Sequence, residues 1–432
     1  MQRKRLGLLA TLGPGILVAA TGVGAGDIAT ASLAGSEVAY AILWAAVAGA
    51  FIKFVINEGL ARWQLATDQT LLEGAVYHFG RFVQWFFLVY LLAWSLGVGA
   101  ALISACGVTG HALFPVFRDA QVGKVFWGVA HSALTVLLVL VGGFKRFEKV
   151  MTVLLVVMFG SVLAAAVMSK PDWGAVGRGL LVPRIPTNVN PDAGKWTLAL
   201  MGGVGGTVTM LCYGYWIREQ GRVGAGFLRT CRFDLLVSYS VIAIFGVSMV
   251  LIGRGLHLTE EGATGMMIKL ADQLGKTLGR PMRWAFLAGA WAAVFTSMLG
   301  VWQAVPYLFC DFWQLLKHPR PRAGPRAGDA AIPRAAVDTR SWIYRAYLLT
   351  LATVPMIGLA MNFAYVQRTY SLLGAVVMPL LALALLILNN RTDWIGREYR
   401  NRPLTNVVLV AILAFFVYAA YVTFVTGKDV IS

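Results

Sequence analysis

Acidic residues are scarce in this chain: 20 Asp and Glu among 432 residues, against 37 Lys and Arg. Cysteine and histidine are scarcer, with four and five copies. Cys106, Cys212, Cys231 and Cys310 show no CxxC or paired spacing, which excludes a Cys-based metal cluster and a disulfide framework and leaves them as small apolar side chains. No Ser/His/Asp constellation and no nucleotide-binding loop is present, so nothing points to an enzyme or a bound cofactor. Charge of either sign is missing from Phe82 to Phe117, Trp196 to Ile217, Trp284 to Cys310 and Pro403 to Gly427.

What fills the chain is apolar: 58% hydrophobic residues, 13% charged ones and a mean hydropathy of +0.69. A soluble domain needs far more polar surface, so the partner of this surface is a lipid bilayer. A bilayer core takes roughly 20 apolar residues per helix. Eleven spans follow, beginning near Leu12, Tyr40, Gln84, Val125, Val150, Trp196, Leu235, Trp284, Ala346, Thr369 and Asn406. The basic start "MQRKRLGLLATLGPG" resembles a signal peptide, but its apolar run continues to Gly26 without a small-residue cleavage site and is read as a retained first helix.

The formal charge of +17 would suit nucleic acid if it were one patch, but it is spread over alternate loops. Arg3, Lys4, Arg5, Lys145, Arg146, Lys149, Arg218, Arg222, Arg229 and Arg232, with the Pro/Ala/Gly/Arg-rich linker over 317–342 and "RTDWIGREYRNR", fall on one side. That asymmetry places the N-terminus in the cytoplasm and, after eleven spans, the C-terminus outside. No nucleic-acid partner is expected, and the oligomeric state is left open, a monomer included. From Leu258, Met267, Leu270 and Leu274 recur at helical intervals, predicting an amphipathic helix over the outer mouth.

The first span holds "TGVGAGD", with Gly22, Gly24 and Gly26 ahead of Asp27; the sixth holds Gly202, Gly203, Gly205 and Gly206. Small residues at this spacing also serve tight helix packing. Two clusters at corresponding places of two five-helix halves, approximately 12–168 and 196–388 with an extra helix at 405–427, point instead to broken helices. Paired interruptions of this kind mark inverted-repeat secondary transporters and their midplane site. Glycine lets the chain leave helical geometry, and the freed amides and carbonyls then require a cavity or a protein partner.

The stretch "GPGILVAATGVGAGDIATASLAGS" resembles the first helix of the Nramp divalent-metal transporters, through Gly13-Pro14-Gly15, Val18-Ala19 and Ala29-Thr30. The short "GSEVAY" turn, "GGTVTM" in the sixth span, "PLLALALLILNNR" in the tenth and Gln303 in the eighth extend the likeness. The resemblance implies an all-α LeuT-type fold of about eleven helices in one membrane domain, 1–432, with metal held between the unwound first and sixth helices. The signature itself departs from the family. The family's DPGN falls on Gly24, Ala25, Gly26 and Asp27, so its Asp position is bare and its Asn position is acidic. Its Met-Pro-His falls on Thr209, Met210 and Leu211, its coordinating carbonyl would come from Gly206, and the third helix lacks the family's acids.

The ligands left are oxygens: the Asp27 carboxylate, the Thr209 hydroxyl, the Gln303 amide and carbonyls near Gly24 and Gly206. Oxygen sets suit Mg²⁺, Ca²⁺ or Mn²⁺, whereas thioether selects softer metals. Met210 and Cys212 would restore softness only if they turned toward Thr209. Lys53, near the middle of the second span, needs a partner, because a mid-membrane Lys costs ~2.5–3.5 kcal/mol on insertion scales. Glu58 sits better for Arg62 at i,i+4, which leaves Asp27 as the candidate partner of Lys53. Such a pair would disfavour a divalent ion and opens a rival reading. In it, a transporter of an amino acid or other carboxylate-bearing molecule binds the carboxylate on bared amides, with Tyr213, Tyr215, Trp216 and Trp302 lining an organic pocket. A third reading is a transport-inactive sensor or scaffold. Outside the site, His111 is read as interfacial, and Arg218 and Glu219 as an inner loop pair.

Overall fold

The computed structural model describes residues 8–186, 190–191, 193–203, 205–254, 263–317, 338–361 and 363–425. Most of the expected linker, the first seven residues and the lead-in to the amphipathic helix lie outside these residues. The chain runs through α1 (Leu8–Gly22), α2 (Ala25–Val38), α3 (Leu43–Thr67), α4 (Leu71–Phe79), α5 (Arg81–Leu113), α6 (Ala120–Met168), α7 (Trp173–Leu181) and α8 (Ala193–Gly203). There follow α9 (Tyr213–Glu219), α10 (Leu228–Gly253), α11 (Ala263–Leu278), α12 (Arg280–Lys317), α13 (Trp342–Thr353), α14 (Phe363–Leu388), α15 (Thr392–Ile395) and α16 (Pro403–Val425). No strand occurs among the described residues.

Each of the eleven expected spans falls on helix. α6 carries two of them, divided at Gly143, whose φ of 63° is non-helical. The first span is α1 and α2; the sixth is α8, a 3₁₀ turn at Val208–Cys212 and α9. Exposed apolar side chains such as Val89, Leu137, Val156 and Val407 face outward, as lipid-facing positions do. The interior instead holds Trp63, Trp94, Trp216, Trp302, Tyr213 and Tyr307. In α11, Met267, Leu270 and Leu274 are buried, so the helical spacing read from the sequence marks its packed face.

The one boundary that matters is that of α10. A start near Leu235 leaves Asp234 in a loop, but the helix begins at Leu228 and carries Asp234, fully buried, nearly two turns in. Against α2, α10 packs at glycine level: a Cβ on Gly35 would overlap the Val250 carbonyl, and one on Gly253 the Ser32 carbonyl. Such reciprocal small-residue contacts let two backbones approach without a side-chain layer between them. They seat α2, the second half of the first broken helix, on α10.

Candidate functional site

The two interruptions meet. An added Cβ on Gly22 would stand 3.1 Å from the Gly205 carbonyl carbon, and one on Gly206 would stand 3.2 Å from the Gly22 Cα. Gly205 and Gly206 have φ of 98° and 76°, values that side chains rarely adopt. The crossing therefore needs glycine for both conformation and space. Gly205→Ala is expected to cost about 1–3 kcal/mol through the forced φ, on top of contact with Ile242 at 3.0 Å. A thermal-unfolding scan of the purified variant measures it, with Gly194→Ala, where a Cβ meets nothing, as the neutral comparison.

Helix breaks strand polar backbone groups, and here side chains take them up. Asp27, at the third position of α2, reaches back so that its Oδ2 accepts from the Gly24 amide at 2.7 Å, one half of a capping box. Its Oδ1 accepts from the Gly205 amide, also at 2.7 Å. One buried carboxylate thus ties the first break to the sixth-span break across 178 residues of sequence. The Ser297 hydroxyl of α12 is shared between the carbonyls of Thr21 (3.1 Å) and Val23 (2.7 Å). Lys53, fully buried, donates to the Gly202 carbonyl at 2.9 Å, and its charge and that of Asp27 reach each other.

Of the residues singled out from sequence, Gly24, Asp27, Gly206 and Thr209 come together, with Lys53 beside them. Thr209 is buried, its hydroxyl 2.8 Å from where a Cβ on Gly206 would sit. Gln303 stands apart. It lies six residues beyond Ser297 on α12, roughly 9 Å along the helix axis. Both ends of its amide are engaged there: Oε1 accepts from Trp216 Nε1 at 2.8 Å, and Nε2 donates to the Tyr307 hydroxyl at 3.0 Å. Tyr307 in turn donates to Glu219 at 3.0 Å. Glu58 pairs with Arg62 at 3.3 Å, as its spacing predicts, and also with Arg232 at 2.8 Å. Among the described residues no three His, Cys, Asp or Glu side chains converge on one point.

Exposure around the crossing is uneven. Gly26, Thr30, Gly202, Gly206 and Thr207 are half-buried and Gly203 is exposed, whereas Val208, Thr209, Met210, Cys212, Tyr213, Tyr215, Trp216 and Ile217 are buried, with Leu211 and Gly214 half-buried among them. The closed side is sealed by the Trp216–Gln303–Tyr307–Glu219 chain, by Tyr215 donating to Asp311 (2.8 Å) and by Gln64 donating to the Gly214 carbonyl (2.6 Å). Below it, Asp234 accepts from the Gly15 amide, the Tyr213 hydroxyl and Arg222, each at 3.0 Å, so that α1, α9 and α10 share one carboxylate. Sequence reading missed Ser297 and Asp234. Nothing local distinguishes a serine in an apolar run, but an acid amid "RFDLLVSYS" is itself a signal once the helix is begun early enough.

Two broken helices crossing at glycines inside a bundle of long apolar ones define a LeuT-type α-helical membrane transporter fold. The family model described as natural resistance-associated macrophage protein-like, Nramp, matches residues 15–426. The chain belongs to the Nramp family. In solved structures it is similar to the manganese transporter of Eremococcus coleocola, bound to an aromatic bis-isothiourea substituted compound, at TM-score 0.73 and 15% identity over 95% of this chain and 85% of that one. A point mutant of that transporter, with alanine in place of a glutamate, gives 0.74 at 15% identity, covering 99% and 90%. MhsT in complex with L-phenylalanine gives 0.57 at 14% identity, covering 96% and 99%.

Proposed function

We propose that this protein is a secondary transporter that moves a hard divalent metal ion, Mg²⁺ or Mn²⁺, past the helix crossing by alternating access, without a cofactor. The N-terminus lies in the cytoplasm and the C-terminus outside, which makes the half-open side of the crossing the outer one. The halves 12–168 and 196–388 act as the two repeats. The observation that carries this reading is the Asp27 bridge. Each carboxylate oxygen accepts one amide and keeps a second lone pair for a cation. Gly206 follows the bridged Gly205 in the chain, and the Thr209 hydroxyl lies against Gly206.

Nearby Lys53 lowers the affinity such a site can reach, which fits transport of an abundant ion better than scavenging of a rare one. The carboxylate-substrate reading draws support from the likeness to MhsT and from that same lysine. It is disfavoured by Asp27, whose own carboxylate already occupies the Gly24 and Gly205 amides that a substrate would need. Calorimetric titration of the purified protein tests the assignment: heat of binding is expected from Mg²⁺ or Mn²⁺ in the millimolar range and is expected to vanish in Asp27→Ala. Silence toward Mg²⁺, Mn²⁺ and Ca²⁺ alike would reject the metal reading. Stabilisation by a zwitterion instead would favour its rival.

A further inference from the structure

A cleft of about 1210 Å³ opens away from the crossing, between the end of α3, the start of α10 and the segment joining α14 to α16. Six arginines line it, Arg62, Arg229, Arg232, Arg397, Arg400 and Arg402, with Glu398 as the one lining carboxylate. Arg62 forms the floor. It is 3% exposed, and its guanidinium donates to the carbonyls of Tyr399 (3.1 Å) and Arg400 (3.0 Å) and to Asn401 Oδ1 (2.7 Å). Those bonds hold the 399–401 segment as a wall. The Arg62 Nε is buried with no hydrogen-bond partner among the described residues. Glu58, behind the floor, is spent on both Arg62 and Arg232. Arg229, Arg397, Arg400 and Arg402 form no ion pair with a described carboxylate.

Like charges gathered in this way repel, and the charges of Arg232 and Arg402 reach the buried Arg62. An anion relieves that repulsion, and guanidinium forks match phosphate oxygens in geometry. The surroundings identify the anion's source. One turn beyond Arg229 and Arg232 on α10 stand Phe233 and Leu236, 48% and 54% exposed. On the opposite wall, Leu404 and Val407 of α16 are 69% and 64% exposed. The basic ring therefore caps two lipid-facing helix walls, at the level where headgroups meet acyl chains. Basic pockets between membrane helices take anionic headgroups in this position.

We propose that this cleft binds the phosphate of an anionic phospholipid, whose acyl chains lie along α10 and α16. The headgroup links the start of α10 to the α14–α16 connection, two elements otherwise joined through the Arg62–Glu58 pair of α3, Arg62 holding 399–401 and Glu58 holding Arg232. Native mass spectrometry of the full-length protein, titrated with phosphatidylglycerol and with phosphatidylcholine of the same chains, tests this. One phosphatidylglycerol is expected to be retained with roughly tenfold preference, and the Arg229→Gln/Arg402→Gln variant is expected to lose roughly that factor. Both side chains are exposed and unbonded, so the variant keeps its melting temperature, and Arg345→Gln on α13 keeps the preference. Millimolar inorganic phosphate is expected to leave the lipid bound. Equal retention of the two lipids, an unchanged preference in the double variant, or displacement of the lipid by inorganic phosphate would each overturn the proposal.

Discussion

Replacing Asp27 with alanine is expected to reduce ion uptake into proteoliposomes to background and to lower the melting temperature of the protein at the same time. Both effects come from one carboxylate. Asp27 accepts from the Gly24 and Gly205 amides at 2.7 Å, and hydrogen bonds to a charged group contribute about 1.5–3 kcal/mol each. Alanine leaves both amides orphaned in the bundle interior and removes the charge that reaches Lys53. Asparagine is nearly isosteric, yet it helps only in part. Its oxygen serves one amide, while its NH₂ turns a donor toward the other. Adding Lys53→Met to Asp27→Ala is expected to recover some stability but no transport, because it removes a buried charge that has lost its counterion. A double-mutant cycle on unfolding free energies measures the coupling directly. Wild-type uptake in Asp27→Ala would show that the bridge is packing alone.

Asp234→Ala is expected to be the most destabilising single change on the closed side, at about 3–5 kcal/mol, the usual cost of breaking a buried ion pair by removing one partner. Asp234 is fully buried and the Arg222 side chain is 1% exposed, so the stranded guanidinium cannot reach water without local opening. The same carboxylate holds the Gly15 amide, so α1 loses an anchor to α10. Populations are therefore expected to shift toward a state open on the α9 side. Cys231, fully buried beside Tyr213, reports this: its alkylation, followed by peptide mapping, is expected to accelerate in Asp234→Ala. Arg222→Met in the same background is expected to recover stability while leaving Cys231 reactive. An unchanged alkylation rate would separate the ion pair from the gate.

Span number and span position were legible because run length against bilayer thickness is a local property, and each apolar run became helix whatever it packs on. The glycine clusters were legible for a similar reason. Gly205 and Gly206 sit in a stretch whose backbone needs positive φ, a demand written in the residues themselves. The limits were local too: placing the start of α10 at Leu235 rather than Leu228 hid Asp234, because the helix extends beyond the part of it that is hydrophobic enough to be in lipid.

The bundle of membrane helices, its two interruptions and its family are all readable from the order of residues. What the interruptions do depends on packing between helices. Asp27 turns to Gly24 and Gly205, Ser297 closes the first break, and Gln303 seals the α9 side instead of joining the crossing. The reason is physical. A freed backbone group inside a bundle must be met by whichever polar side chain the packing brings within about 3 Å; apart from the local Asp27–Gly24 capping contact, that neighbour comes from another helix, at a sequence distance no local pattern records.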